Sequence, residues 1–294
     1  MDRFVQRTDL ALEARELAGE KASLDIDGVE FHEEIRSGFK CQILDVANDI
    51  AAKTLGKPIG TYYTLEIASL LRRESENFYE AASVISDTLK SLLGDTSGDG
   101  CTLVVGLGNR DITPDAIGPL SAASTLVTRH LKYHAPKEFA AFSPVAVITP
   151  GVLGTSGIES ADYIKAVCDD LKPTQVIVID ALAARGLDRL CRTIQITDTG
   201  ITPGSGVGNS RAAINSSFLG LPVIAVGVPT VVDIRCLLAD FGSEPLVGNV
   251  ANEMIVTPRN IDSEVACASR LVGYAINLAL HRGLTVEDVD MLLG

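Results

Sequence analysis

No apolar stretch in the sequence approaches the ~20 residues of a membrane span, and Met1-Asp2-Arg3-Phe4 lacks the apolar run of a signal peptide, which predicts a soluble, intracellular protein. No run of basic residues offsets the net charge of −13, so a nucleic-acid surface is disfavoured and basic polypeptides would be attracted instead. The six cysteines (41, 101, 168, 191, 236, 267) form no CxxC pair and several lie in apolar runs, reading as buried free thiols. There is no GxSxG elbow. The four histidines (His32, His130, His134, His281) are scattered, and His130 and His134 share an i, i+4 spacing without the glutamate of HExxH. Internal repeats and low-complexity segments are also missing.

What is present suits a well-buried core: 294 residues, 46% apolar and 21% charged. The first hundred residues are expected to be mixed and mostly helical, with one helix from about Asp9 to Gly19 behind Thr8 as N-cap and another from Thr64 to Leu93. The stretch from Gly94 to Gly100 reads as a linker or wide turn. Beyond it, short β-branched runs alternate with helical stretches, predicting an α/β fold with a mostly parallel sheet and helices on both faces. The expected strands are Thr102–Leu107, Pro144–Thr149, Gln175–Ile179, Thr193–Thr197, Pro222–Val228 and Met254–Val256, and the clearest helices Asp115–Leu131, Gly157–Leu171 and Ser263–Leu280.

Ligands of such sheets bind beyond the carboxyl ends of the strands, which directs attention to three loops. In the first, Gly106–Pro119, two glycines resemble the start of a dinucleotide fingerprint, but Asp111 stands where the third belongs. Asp115 follows Thr113-Pro114 either as a helix-capping carboxylate or as a group projecting into the crevice. In the second, Asp180 ends the apolar run Val176-Ile177-Val178-Ile179, where desolvation prepares it to hold a proton; an N-cap or a pair with Arg185 is the alternative. Two carboxylates on neighbouring strands provide one acid and one base if they meet. The third loop runs Asp198–Asn209. Its Asp198-Thr199-Gly200 matches the pepsin-type triplet only superficially, in the wrong fold class, and leaves Asp198 a third candidate. Gly200, Gly204, Gly206 and Gly208 allow backbone N–H groups to hold an extended substrate strand or an oxyanion, or form a plain turn.

Arg7-Thr8-Asp9-Leu10-Ala11-Leu12-Glu13-Ala14, the three loops, Pro150–Gly157, Gly227–Asp233 and Val256-Thr257-Pro258 occur in the order of one family, and together they resemble the germination proteases of spore-forming bacteria. The resemblance implies a zymogen in the spore core and forespore cytoplasm, with a propeptide at 1–9 and a single α/β peptidase domain at 10–294. Self-cleavage would fall between Asp9 and Leu10, and the later substrates would be small acid-soluble spore proteins. It further implies catalysis by Asp115 and Asp180, a homotetramer, and no metal or other cofactor; with the charge and the missing apolar span, neither a membrane nor a nucleic-acid partner is expected. The substrates present an acid, a large apolar residue, Ala, a small residue and Glu, an order that Asp9-Leu10-Ala11-Leu12-Glu13 follows except at Leu12. The fold implied is similar to that of the hydrogenase maturation endopeptidases, so a metal-assisted endopeptidase is the rival mechanism. A nucleotide-binding α/β module is the rival from another class.

Overall fold

The computed structural model describes residues 8–21, 26–67, 75–94, 100–206, 208, 211–240 and 254–293. Most of the expected propeptide, the interior of the Gly94–Gly100 linker, Val207 and Asn209, and the whole segment between Asp240 and Met254 lie outside the described residues.

The first hundred residues correct the mostly helical expectation. They hold α1 (Ala11–Lys21), β1 (Val29–Arg36), β2 (Phe39–Val46), α2 (Asp49–Leu55), β3 (Gly60–Glu66) and α3 (Ser75–Leu92). Glu-rich β1 resembles a helix in propensity, but it is an exposed edge strand whose register comes from its hairpin with β2. Ser37 and Gly38, both at positive φ, make the two-residue turn that brings Arg36 opposite Phe39. Thr64 belongs to β3, so the long predicted helix does not begin there; α3 supplies its described part, and residues 68–74 lie outside the described residues.

The remainder contains β4 (Thr102–Gly106), α4 (Ile117–Ala123), α5 (Arg129–His134), β5 (Val145–Ile148), α6 (Leu153–Ser156), α7 (Ser160–Leu171), β6 (Gln175–Ala184) and β7 (Thr193–Thr197). It closes with α8 (Ser216–Leu219), β8 (Val223–Asp233), α9 (Ile234–Asp240), β9 (Ile255–Val256), α10 (Ile261–Leu280) and α11 (Val286–Leu293). The predicted helix at Asp115–Leu131 is broken into a 3₁₀ turn at Thr113–Asp115, α4 and α5, and Gly157, at φ 72°, separates α6 from α7.

The α/β class stands, but the sheet is mixed where a mostly parallel one was expected: its order is β1-β2-β3-β7-β8-β6-β4-β5, with β9 against β8. Strands β5, β4, β6 and β8 are parallel, while β8, β7, β3, β2 and β1 pair antiparallel. Alternation along β4 and β6 sends Val104, Ile177 and Ile179 to a core shared with α3, α4, α10 and α11. Leu103, Val105, Val176 and Val178 face Ile164 and Cys168 of α7. Ile177 and Ile179 are fully buried, each contributing about 1.5–3 kcal/mol.

The chain leaves β4 toward β5 and returns across β4 to β6, with α4 on one face and α7 on the other. The gap between the carboxyl ends of β4 and β6 is therefore a topological switch point, the place where such sheets bind ligands.

Candidate active site

Asp115 reaches this gap at the end of the 3₁₀ turn after β4. Its Oδ2 accepts the N–H of Asn109 at 2.8 Å. Gly108 sits at φ 105°, and a Cβ there would collide with the Asp115 carbonyl, so only glycine lets the loop close so tightly. The buried Thr230 hydroxyl of β8 donates to the Pro114 carbonyl at 2.6 Å and ties the turn to the sheet. Partial burial raises the Asp115 carboxyl above its ordinary value, against the opposing pull of the Asn109 N–H.

Asp180 is buried and lies within β6, not beyond it, because the strand continues to Ala184. Its Oδ1 accepts the Ala181 N–H at 2.9 Å. Burial raises its carboxyl well above the usual range; the charges of Asp115 and then Asp9 add to this, and the Ala181 N–H opposes it. Both carboxylates line one cleft of about 440 Å³, as does Asp9. Two acids in unequal environments that feel each other's charge can hold one proton between them.

The segment carrying Asp9 is docked by its backbone and its side chain. Its N–H donates to the Ala183 carbonyl at 2.9 Å, and its Oδ2 accepts the Ala183 N–H at 2.9 Å. Ser205 Oγ donates to its Oδ1, and a Cβ on Gly206 would collide with Oδ2. The Asp9 carbonyl oxygen accepts from Lys57 Nζ at 2.8 Å and from Gln195 Nε2 at 3.2 Å. Leu10 is fully buried among Leu182, Ala184, Leu190, Val232 and Cys236. Glu13 accepts the N–H groups of Arg185 at 2.7 Å and Gly186 at 2.9 Å.

Asp115, Asp180 and Asp9 thus come together, with Gly204 lining the same cleft and Gly206 against Asp9. Asp198 does not join them: it is exposed, and its Oδ1 accepts the Thr61 N–H of β3 at 2.9 Å. Gly208 is exposed and lines neither this cleft nor the one beside Lys57. Of the histidines, His32, His130 and His134 are exposed and His281 is buried, its Nδ1 accepting the Ser143 N–H at 3.3 Å. Among the described residues no group of three or more His, Cys, Asp or Glu side chains gathers into a metal-holding cluster.

Sequence reasoning missed Lys57, Gln195, Ser205 and Thr230. Only Gln195 carried a signal, a large amide between Ile194 and Ile196 of a buried strand; the others are brought in by contacts distant in the chain.

The germination protease family profile matches residues 5–242. A germination protease of Caldanaerobacter subterraneus subsp. tengcongensis is 41% identical, the alignment covering 98% of each chain. One from Clostridium tetani is 40% identical over 98% of this chain and 99% of its own. Among solved structures, the [NiFe] hydrogenase maturation protease HycI from Thermococcus kodakarensis KOD1 aligns with 64% of this chain and 98% of its own, at TM-score 0.36 and 17% identity. The profile match, and relatives aligned along nearly the whole length, lead to one assignment: the chain belongs to the germination protease family and is a protease.

Proposed function

We propose that this protease is an endopeptidase made as a zymogen, which cuts its own Asp9–Leu10 bond using water activated between Asp115 and Asp180. The observation that carries the reading is the seating of Asp9 in the cleft lined by those two carboxylates. In this mechanism the ionised member of the pair takes a proton from water as its oxygen bonds to the Asp9 carbonyl carbon. The protonated member then gives its proton to the Leu10 nitrogen as the C–N bond breaks.

The contacts of the docked segment also support a specificity. The Ala183 N–H and the Ser205 hydroxyl receive an acid before the scissile bond, a closed apolar site receives the residue after it, and two N–H groups receive a glutamate three residues further on. Acid, apolar residue, Ala and a later Glu is the order expected of small acid-soluble spore proteins, the substrates we assign once the propeptide has left. The homotetramer and the spore-core location rest on the same family resemblance.

Intact-mass measurement of the purified chain over time tests the reading. A new N-terminus at Leu10 is expected, and Asp180→Asn should retain Met1–Asp9. Maturation at another bond, or at the normal rate in Asp180→Asn, would sink it.

A further inference from the structure

Building on the Asp9–Leu10 cut, we propose that Lys57 and Gln195 form the carbonyl-binding side of the active centre, holding the oxygen of the bond to be cut and stabilising the charge it gains when water adds. Lys57 follows Gly56, the left-handed cap of α2, and its backbone N–H returns to the Ala52 carbonyl at 3.1 Å, so the side chain starts from a fixed point. Its Nζ donates to the Thr8 carbonyl at 2.9 Å and to the Asp9 carbonyl at 2.8 Å. Gln195, buried on β7, spans Leu10: Nε2 donates to the Asp9 carbonyl at 3.2 Å, and Oε1 accepts the Ala11 N–H at 2.7 Å. Two side-chain donors from different elements therefore converge on one carbonyl oxygen, on the amino side of the proposed cut.

Asp9 stands between two clefts. Lys57, Tyr62 and Gln195 line one of about 250 Å³, and Asp115 and Asp180 line the other. The donors to the oxygen and the proton-handling carboxylates thus line different clefts, and Asp9 borders both. As water adds from the carboxylate side, the carbonyl electron pair moves onto the oxygen between Lys57 Nζ and Gln195 Nε2. Collapse of that species re-forms the carbonyl and expels the Leu10 nitrogen, which takes its proton from the carboxylate pair. Donors fixed before the reaction act most strongly on charge that exists only in the transition state. Burial lowers the Lys57 ammonium below its ordinary value, and the Asp9 and Glu13 carboxylates oppose that shift by favouring the charged form.

The test uses the full chain, with Asp180→Asn as an uncut reference. Lys57→Met should slow the appearance of the Leu10 N-terminus on the order of 10²–10³-fold, the cost of removing one oxyanion donor. Its 8–13 segment should keep the amide hydrogen-exchange protection seen in Asp180→Asn, since the Ala183, Ser205 and Glu13 contacts remain. Lys57→Arg should restore part of the rate. Should Lys57→Met not melt cooperatively, Lys57→Gln, which keeps a donor without the charge, carries the same two measurements. A normal rate in a folded variant overturns the inference, as does slow cutting with lost protection, which would make Lys57 an anchor only. Wild-type chain maturing at a different bond would overturn the underlying cut and the clamp together; normal wild-type maturation beside an unaffected Lys57 variant overturns the clamp alone.

Discussion

Asp115 and Asp180 are the same residue type in different surroundings. Both carboxyls are raised above the ordinary range, Asp180 more because it is buried and faces two other carboxylates. Such a pair titrates jointly, so the pH–rate profile of cleavage should be a bell. Its acid limb should lie above the ordinary Asp value as the last carboxylate protonates, and its alkaline limb should appear as the shared proton is lost. Asp115→Asn and Asp180→Asn should each lower the rate at least ~10²-fold at every pH, with the fold intact by circular dichroism. The same shift has a consequence for stability. A carboxyl raised in the folded state favours folding while protonated: its contribution is complete below the unfolded value near about 3.9 and is lost as pH rises through the folded value. Asp180→Asn stays uncharged throughout. It should therefore match wild type in acid and exceed it near neutrality, by on the order of 1 kcal/mol, as thermal melts at a series of pH values would measure. Equal melts at all pH values would mean that Asp180 is not held away from water.

At the scale of elements, the site depends on one strand being longer than its apolar run. β6 carries Asp180 within the sheet and continues to Ala183, which pairs with Asp9, and on to Ala184. β8 runs beside it as far as Asp233 and presents Thr230 to the turn that holds Asp115. Thr230→Val keeps the side-chain shape and deletes the donor to Pro114. The turn should lose a hydrogen bond worth about 1 kcal/mol. Displacement of Asp115 should cost roughly 10-fold or more in cleavage rate, since misplacement of a catalytic group by about 1 Å costs up to 10². Rate and melting temperature measured together check this; an unchanged rate beside a lowered melting temperature would confine Thr230 to stability. The β1–β3 part of the sheet was not read from the sequence, because β1 is polar along an exposed edge and gains its conformation from pairing with β2.

For the whole molecule, one sheet joins the two halves of the sequence, and one core takes Phe39, Ile43 and Leu65 from the first hundred residues together with Ile177, Leu271 and Ile276. Separate domains would require separate cores. The chain should accordingly unfold in a single calorimetric transition, and two resolved peaks would divide it at the linker near residue 95. The three parts of the site come from positions 8–13, 115 and 180, so the site should be lost in that same transition.

The sequence by itself determined the chemistry available: Asp9, Asp115 and Asp180 each stand in a motif readable from neighbouring residues, and the β-branched runs after residue 100 mark strands through local periodicity. Tertiary structure alone decided which of these groups meet. Asp198 stood as a third candidate carboxylate, but β3 supplies Thr61 to occupy it, and Gln195 is 186 positions from the carbonyl it grips. Lys57 had no local mark, since a lysine after a short helix is ordinary until a distant segment lays its backbone against the ammonium. Periodicity and turn chemistry act over a few residues and can be read along the chain; strand order and register act across the whole of it, and they alone bring a carbonyl, two donors and two acids to one place.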